Sequence, residues 1–189
     1  MQGSEFAVFP TALGHCAVAW RGDAGEGLIG AQLPAANVGA LRELMQRRFS
    51  GAVEAEPPAP VREAIVLVQR LLGGELADHR EMLTIKLDDR DVPEFDRMAL
   101  RLTRQIPVGH TRTYGEIAAA LGDAGAARAV GRAEGHNRFA PIVPCHRVLG
   151  AGGAPTGFSA PGGIDTKRRL LLIEARAAGQ LAGDQQPLF

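Results

Sequence analysis

Apolar positions along the chain change period several times, and each change marks an element. Residues 7–9, 16–20 and 28–32 are short apolar-rich runs separated by Gly- and Asp-containing turns, which predicts a small antiparallel meander. From residue 38 the period lengthens. Val38, Leu41, Leu44, Met45 and Phe49 share one face of a helix that Asn37 is suited to cap. Three prolines make residues 54–60 a linker. Residues 61–72 return to helical spacing and Gly73-Gly74 ends them. Residues 83–87 read as one more strand.

A charged run at 88–93, ending in Pro93, marks a boundary. The helix predicted over 94–105 turns Phe95, Met98, Leu102 and Leu100 inward, and Ile106-Pro107-Val108-Gly109 ends it. Thr113-Tyr114-Gly115-Glu116 is a capping box, and Tyr114, Ile117, Ala118 and Leu121 follow at helical spacing. After a turn at 122–125, residues 126–134 form a second short helix, so the pair reads as a helix-turn-helix. Ala126, Val130 and Ala133 would pack on the first helix, leaving Ala127, Arg128, Gly131 and Arg132 outward. Asp165 or Thr166 caps the last helix, whose apolar stripe of Leu170, Ile173 and Ala177 includes Glu174. A carboxylate on such a stripe needs a partner if it is buried.

Composition adds three constraints. At 189 residues and 46% hydrophobic, the chain can bury a core as one domain or two small ones. Two cysteines, Cys16 and Cys145, argue against a disulfide framework and fit a reducing, cytoplasmic setting. No apolar run is long enough to span a membrane, and no signal peptide is evident. Gly3-Ser4-Glu5-Phe6 is set aside as a candidate cloning remnant. Net charge is zero, yet residues 1–100 hold 10 Lys+Arg against 15 Asp+Glu, and residues 101–189 hold 11 against 6. A basic second half is what a local phosphate-binding surface looks like, although two ordinary solvated surfaces would look the same. His15, Cys16 and His79 raise the question of a metal. Neighbouring strand residues point to opposite faces and no Cys-x-x-Cys pair exists, so no metal is expected.

The chemistry concentrates in Val143-Pro144-Cys145-His146-Arg147-Val148-Leu149. Thiolate is the nucleophilic form of cysteine, and cationic or imidazole neighbours lower a thiol pKa. Cys145 beside His146 and Arg147 therefore suggests an activated sulfur, held on a rigid bend by Pro144. A buried structural cysteine fits the heptad equally well. Upstream, Asn137 sits in a turn where asparagine usually bonds nearby backbone. Downstream, residues 150–163 form a Gly- and Pro-rich loop suited to a pocket lid.

Read with these flanks, the heptad resembles the active-site signature of the O6-alkylguanine-DNA alkyltransferases, also called methylated-DNA–protein-cysteine methyltransferases. The resemblance runs over about residues 93–176, and includes Arg-Ala-Val-Gly at 128–131 and Thr-Gly-Phe-Ser at 156–159. It implies an α/β chain in three parts. Residues 1–90 would form a ribonuclease-H-like domain, and 91–178 a mainly helical, winged-helix-like DNA-binding and catalytic domain. Residues 179–189 would be a flexible tail. It implies Cys145 as nucleophile, His146 oriented by Glu174 as its base, Tyr114 as proton donor to the leaving guanine, and Asn137 as a brace. For DNA it implies Arg128 as the arginine that fills the gap of a rotated-out nucleotide, a helix with Ala127, Gly131 and Arg132 in the minor groove, and Phe158 and Ser159 against the base.

The implied activity is irreversible, single-turnover transfer of an alkyl group from O6-alkylguanine in duplex DNA to Cys145, with no cofactor. O4-alkylthymine stays open as a second lesion. Three departures stand out. Phe158 replaces a frequent tyrosine, Arg138 a usual proline, and Met98 a frequent tryptophan, while Ala160 and Pro161 are extra. Two other classes compete. A thiol hydrolase with a Cys-His-Glu triad would turn over and would not need the helix-turn-helix. A non-catalytic DNA-binding regulator or lesion sensor would leave the triad unused. The tail, with Gln185, Leu188 and Phe189, resembles the short Gln-x-x-Leu-Phe peptides that dock into bacterial sliding clamps. A monomer is expected, since no coiled-coil heptads are present.

Overall fold

The structure is a computed structural model and describes residues 3–22 and 27–181. The chain is a mixed α/β fold. Its first half is built on a four-stranded sheet: β1 (Ser4–Thr11), β2 (Gly14–Arg21), β3 (Leu28–Gln32) and β4 (Val53–Glu54), in the order β3-β2-β1-β4. The β1–β2 and β2–β3 pairs are antiparallel, and β4 joins β1 in parallel. Both faces are covered, so alternate residues enter two different cores. Phe6, Ala17, Ala19 and Ile29 meet Leu41, Met45 and Phe49, three apolar residues from α1 (Val38–Arg48) and its C-terminal end. Phe9, Cys16, Val18 and Trp20 meet Val61, Val68 and Leu71 from α2 (Ala59–Leu72). Asn37 caps α1 by accepting from the Ala40 N–H at 2.9 Å.

Several expectations change here. The stretch set aside at 3–6 belongs to the fold: Phe6 is fully buried, and the Trp20 indole donates to Glu5 at 2.9 Å. The linker at 54–60 is short at both ends. Glu54 pairs with β1, and α2 starts at Ala59, because a proline in the first helical turn gives up an N–H that has no helical partner anyway. No strand forms over 83–87. Asp78 caps a short helix, α3 (His79–Leu83), which takes up the start of that run. The remainder makes an isolated parallel bridge, with Leu28 N donating to Lys86 O and Asp88 N donating to Leu28 O.

The second half holds α4 (Glu94–Arg104), β5 (Arg112–Thr113), α5 (Tyr114–Ala120), α6 (Ala127–Gly135), β6 (Val148–Leu149) and α7 (Gly163–Ala177). The α5–α6 pair is joined through a 3-10 turn at Ala124–Ala126, so α6 starts one residue later than the sequence suggests. Ile106, Ile117, Ala118, Val130 and Val148 form its core. Phe95, Leu100 and Leu102 of α4 pack inward as expected, whereas Met98 is 44% exposed and Ala99 and Thr103 are buried in addition. Small and polar residues line the tight α4–α6 contact, which apolar periodicity does not register. The last helix begins at Gly163, ahead of the expected Asp165 or Thr166 cap, with Gly162 at φ 83° preceding it. That left-handed backbone suits glycine.

Core packing ties the halves together. Leu170 of α7, Ile142 and Val108 join the cluster that holds Trp20 and Val18. Ala31 N donates to Arg138 O at 2.7 Å, and Arg48 donates to Asn137 O at 3.0 Å. The sheet edge therefore supports the segment that leads to Cys145.

Candidate active site

Asn137 sets the local geometry. Its Nδ2 donates to Val143 O at 2.8 Å, and its Oδ1 accepts from Phe139 N at 2.9 Å. These bonds cross-link residues 137–143 into a rigid bend. The chain then enters a 3-10 turn, Cys145–Arg147, anchored by Cys145 N to Val143 O and Arg147 N to Pro144 O. All three side chains of that turn are buried.

The turn faces Glu174 on α7. His146 and Glu174 are 2.7 Å apart, Nε2 to Oε1. Arg147 grips the same carboxylate with two bonds of 2.8 Å, from Nε to Oε2 and from Nη2 to Oε1. Its remaining Nη1 donates to Ile106 O at 2.5 Å and approaches His79 Nδ1 at 3.3 Å. Burial alone would raise the Glu174 pKa. His146 and Arg147 outweigh it and hold the carboxyl down to about 2. Burial pulls His146 down, against the pull of Glu174, so the ring is neutral. An ionised Glu174 can only accept, so His146 must carry its proton on Nε2. Nδ1 is then the basic nitrogen. It is buried and has no hydrogen-bond partner among the described residues.

Cys145 departs from expectation. Burial pushes its thiol up to about 12, and the Glu134 carboxyl adds to the rise, whereas hydrogen bonding by Asn137 and the charge of Lys167 lower it. Arg147 does not activate the sulfur, because its guanidinium is taken by Glu174. At rest Cys145 is a protonated thiol.

Cys145 opens on a pocket of about 330 Å³ lined also by Tyr114, Gly131, Glu134, Gly157, Phe158 and Ser159. A second pocket of about 410 Å³ shares Cys145, Phe158 and Ser159 and reaches Asn137 and Arg48. The Thr113–Glu116 capping box is formed and places Tyr114 at the first position of α5, with its hydroxyl donating to Thr156 O at 3.1 Å. Ser159 donates to Gly135 O at 3.2 Å. Arg128 and Arg132 are exposed on α6, away from buried Val130 and Ala133, and Ala127 is half-buried. Eight of the eleven expected site residues thus gather around Cys145: Cys145 itself, His146, Glu174, Asn137, Tyr114, Gly131, Phe158 and Ser159. Ala127, Arg128 and Arg132 lie on α6 outside the pocket lining.

One residue was misread from the sequence and two escaped it. Arg147, expected to activate the sulfur, instead neutralises Glu174. Lys167, buried on α7, donates to Val148 O at 2.7 Å, Thr156 O at 3.0 Å and Gly157 O at 3.4 Å, and so ties the loop to the turn. Glu134 lines the pocket. Lys167 and Glu134 sit on helices where a charged residue normally reads as solvated, and only tertiary packing buries them.

A buried cysteine on the wall of a pocket, the His146–Glu174–Arg147 network adjoining it in the chain and the α5–α6 pair alongside fit the class of cysteine-dependent group-transfer proteins. Residues 94–176 match the family model described as 6-O-methylguanine DNA methyltransferase, DNA binding domain. The chain is 45% identical over 130 residues to a methylated-DNA–protein-cysteine methyltransferase of Mycolicibacterium paratuberculosis, covering 69% of this chain and 67% of that one. The fold is similar to the Mycobacterium tuberculosis OGT solved in complex with DNA, with TM-score 0.73, 34% identity and coverage of 92% and 94%. It is also similar to the O6-methylguanine-DNA methyltransferase of the archaeon Pyrococcus kodakaraensis KOD1, with TM-score 0.65, 26% identity and coverage of 90% and 98%. The chain belongs to the methylated-DNA–protein-cysteine methyltransferase family.

Proposed function

We propose that this chain repairs DNA directly, in one irreversible turnover, by taking the alkyl group from O6 of a guanine rotated out of the duplex onto Cys145. O4-alkylthymine offers the same chemistry as a second lesion. The observation that carries the reading is the free, buried Nδ1 of neutral His146 beside a thiol too weakly acidic to ionise alone. His146 takes the Cys145 proton, through one water in the family manner. Glu174, already ionised by Arg147, stabilises the resulting imidazolium. The sulfur lone pair forms the S–C bond. The C–O6 bond breaks, its electrons pass into the guanine, and a proton on the ring completes the product. The thioether has no route back to a thiol in this site, so each molecule acts once.

On the DNA side, support comes from the M. tuberculosis relative in complex with DNA and from α5–α6 here. Arg128 and Arg132 are exposed without ion-pair partners among the described residues, and Ala127 and Gly131 let α6 lie close to a groove. Rotating a base out costs a few kcal/mol of stacking, less at a damaged pair, and Arg128 offsets part of it by filling the gap. Residues 91–178 read as the winged-helix-like DNA-binding and catalytic domain, and residues 1–90 as a ribonuclease-H-like support. The clamp-binding motif at 185–189 lies outside the described residues.

Intact-protein mass after mixing with excess duplex DNA carrying O6-methylguanine tests this reading. The expected result is a gain of one methyl on Cys145, saturating at one equivalent, with Cys145→Ala binding but not transferring. Repaired DNA beside unmodified protein would mean turnover and a hydrolase-like route. Unrepaired DNA would favour a lesion sensor.

A further inference from the structure

Glu134 has no part in the Cys-His-Glu relay, yet it is a buried carboxyl on the wall of the Cys145 pocket. It lies in the last turn of α6 and is 4% exposed. Its Oε1 accepts from the Thr103 hydroxyl of α4 at 2.5 Å. Its Oε2 is buried with no partner among the described residues. An ionised carboxylate is badly served by such a site, and the group relieves the cost by holding a proton. Because Thr103 donates to Oε1, that proton falls to Oε2. Burial pushes the Glu134 pKa up to about 7, and Asp96 adds to the rise, while Thr103 and Lys167 lower it.

The other charged or titratable groups around it are already committed. Asp96 on α4 pairs with His136 at 3.0 Å. Lys167 on α7 donates to three carbonyls. The Tyr114 hydroxyl on α5 donates to Thr156 O. Cys145 gives its proton to His146 in the proposed transfer. Oε2 of Glu134 is left as the uncommitted polar atom among them.

We propose that neutral Glu134 donates a hydrogen bond from Oε2 to an unprotonated ring nitrogen of the extruded alkylguanine, and passes that proton over as the base leaves. This rests on the alkyl-transfer reading. Alkylation at O6 removes the N1 proton of guanine, so the ring presents acceptors where the normal base has a donor, and a protonated carboxyl complements them. The step balances. The thiol proton goes to His146 and the sulfur pair forms S–C. The C–O6 pair enters the ring and the Glu134 proton neutralises it. Guanine leaves neutral, Glu134 is left as carboxylate and His146 as imidazolium, and the His146 proton returns to Glu134 through solvent, so the net change is one proton moved from sulfur to guanine. A carboxyl matched to the working pH is well suited to such transfer. Thr103 acts as a positioning residue that keeps the proton on the inner oxygen.

The test is the single-turnover rate of methyl transfer from O6-methylguanine duplex to Cys145, measured from about pH 5.5 to 8.5, where a group of this pKa titrates. Wild type, Glu134→Gln and Glu134→Met are compared at saturating protein, with thermal melts to confirm folding. Gln can still accept from Thr103 and donate to the base, but it cannot titrate. Dividing the wild-type rate by the Gln rate removes the pH dependence that does not involve residue 134. The ratio is expected to fall by about tenfold per pH unit above the Glu134 titration. Glu134→Met is expected to transfer about tenfold more slowly at pH 6. Thr103→Val, which keeps the carboxyl, should shift the fall to higher pH. A ratio independent of pH, a Met variant as fast as wild type, or an unmoved midpoint in Thr103→Val would each overturn the role of Glu134 while leaving alkyl transfer intact. Absence of transfer in every protein would instead overturn the alkyl-transfer reading, and this proposal with it.

Discussion

Cys145 rests as a thiol next to a neutral His146. Burial keeps the proton on sulfur and keeps His146 neutral against the pull of Glu174, which takes Nε2 and leaves Nδ1 free. A buried thiol of this kind is protected from stray oxidation, because the thiolate is the reactive form. Glu174 carries most of the structural risk. Glu174→Gln leaves the Arg147 guanidinium buried without its counter-charge, and is expected to cost about 3–5 kcal/mol. Urea unfolding midpoints measure it. The Glu174 pKa is depressed from 4.5 to about 2, by His146 and Arg147 working against burial. Its contribution is therefore present above about pH 4.5 and is lost as pH falls toward 2. The stability gap between wild type and Glu174→Gln should narrow over that window, and a constant gap would contradict the assignment. The heptad made Cys145, His146 and Arg147 legible as a group, but read Arg147 as an activator of sulfur. Adjacency along a chain does not say which way a guanidinium turns. Glu174, 27 residues away, takes it.

At the scale of elements, the Thr113–Glu116 capping box delivers Tyr114 to the pocket and orients α5 against α6. Both features were legible, since capping chemistry and apolar spacing are local. The outer face of α6 makes the DNA prediction. Arg128→Ala and Arg132→Ala should each lower the slope of log affinity against log salt by about 1, read by fluorescence anisotropy on lesion-free duplex. Unchanged slopes for both would remove α6 from the interface. Periodicity misled in two elements. Residues 83–87 alternate as a strand would, but Asp78 starts α3 and uses their first residue. In α4, Phe95, Leu100 and Leu102 pack inward as their spacing predicts, but Met98 is outside and Ala99 and Thr103 are buried as well.

For the whole molecule, the cluster around Trp20 includes Ile142, Val108 and Leu170 from the second half. The sheet is thus part of what holds the Cys145 turn, through Ala31 to Arg138 and Arg48 to Asn137. A shared core predicts a single cooperative unfolding transition. The chain has one tryptophan, Trp20, in the sheet. Its fluorescence should change at the same denaturant concentration as the far-ultraviolet circular dichroism, which is dominated by helices in both halves. Two separated transitions would show that the halves unfold independently.

The amino-acid sequence by itself determined what depends on neighbours in the chain: the helix starts at Asn37 and Thr113, the α5–α6 pair, the Asn137 turn and the Cys145-His146-Arg147 heptad. These rest on hydrogen bonds and spacings spanning a few residues, so their signals are local. Tertiary structure alone decided the protonation states. Glu174 is ionised because Arg147 reaches it, Cys145 is protonated because the fold buries it, and Glu134 holds a buried, unpartnered oxygen because α4 packs against α6. Burial and long-range charge set those states, and neither is written in any short stretch of the chain.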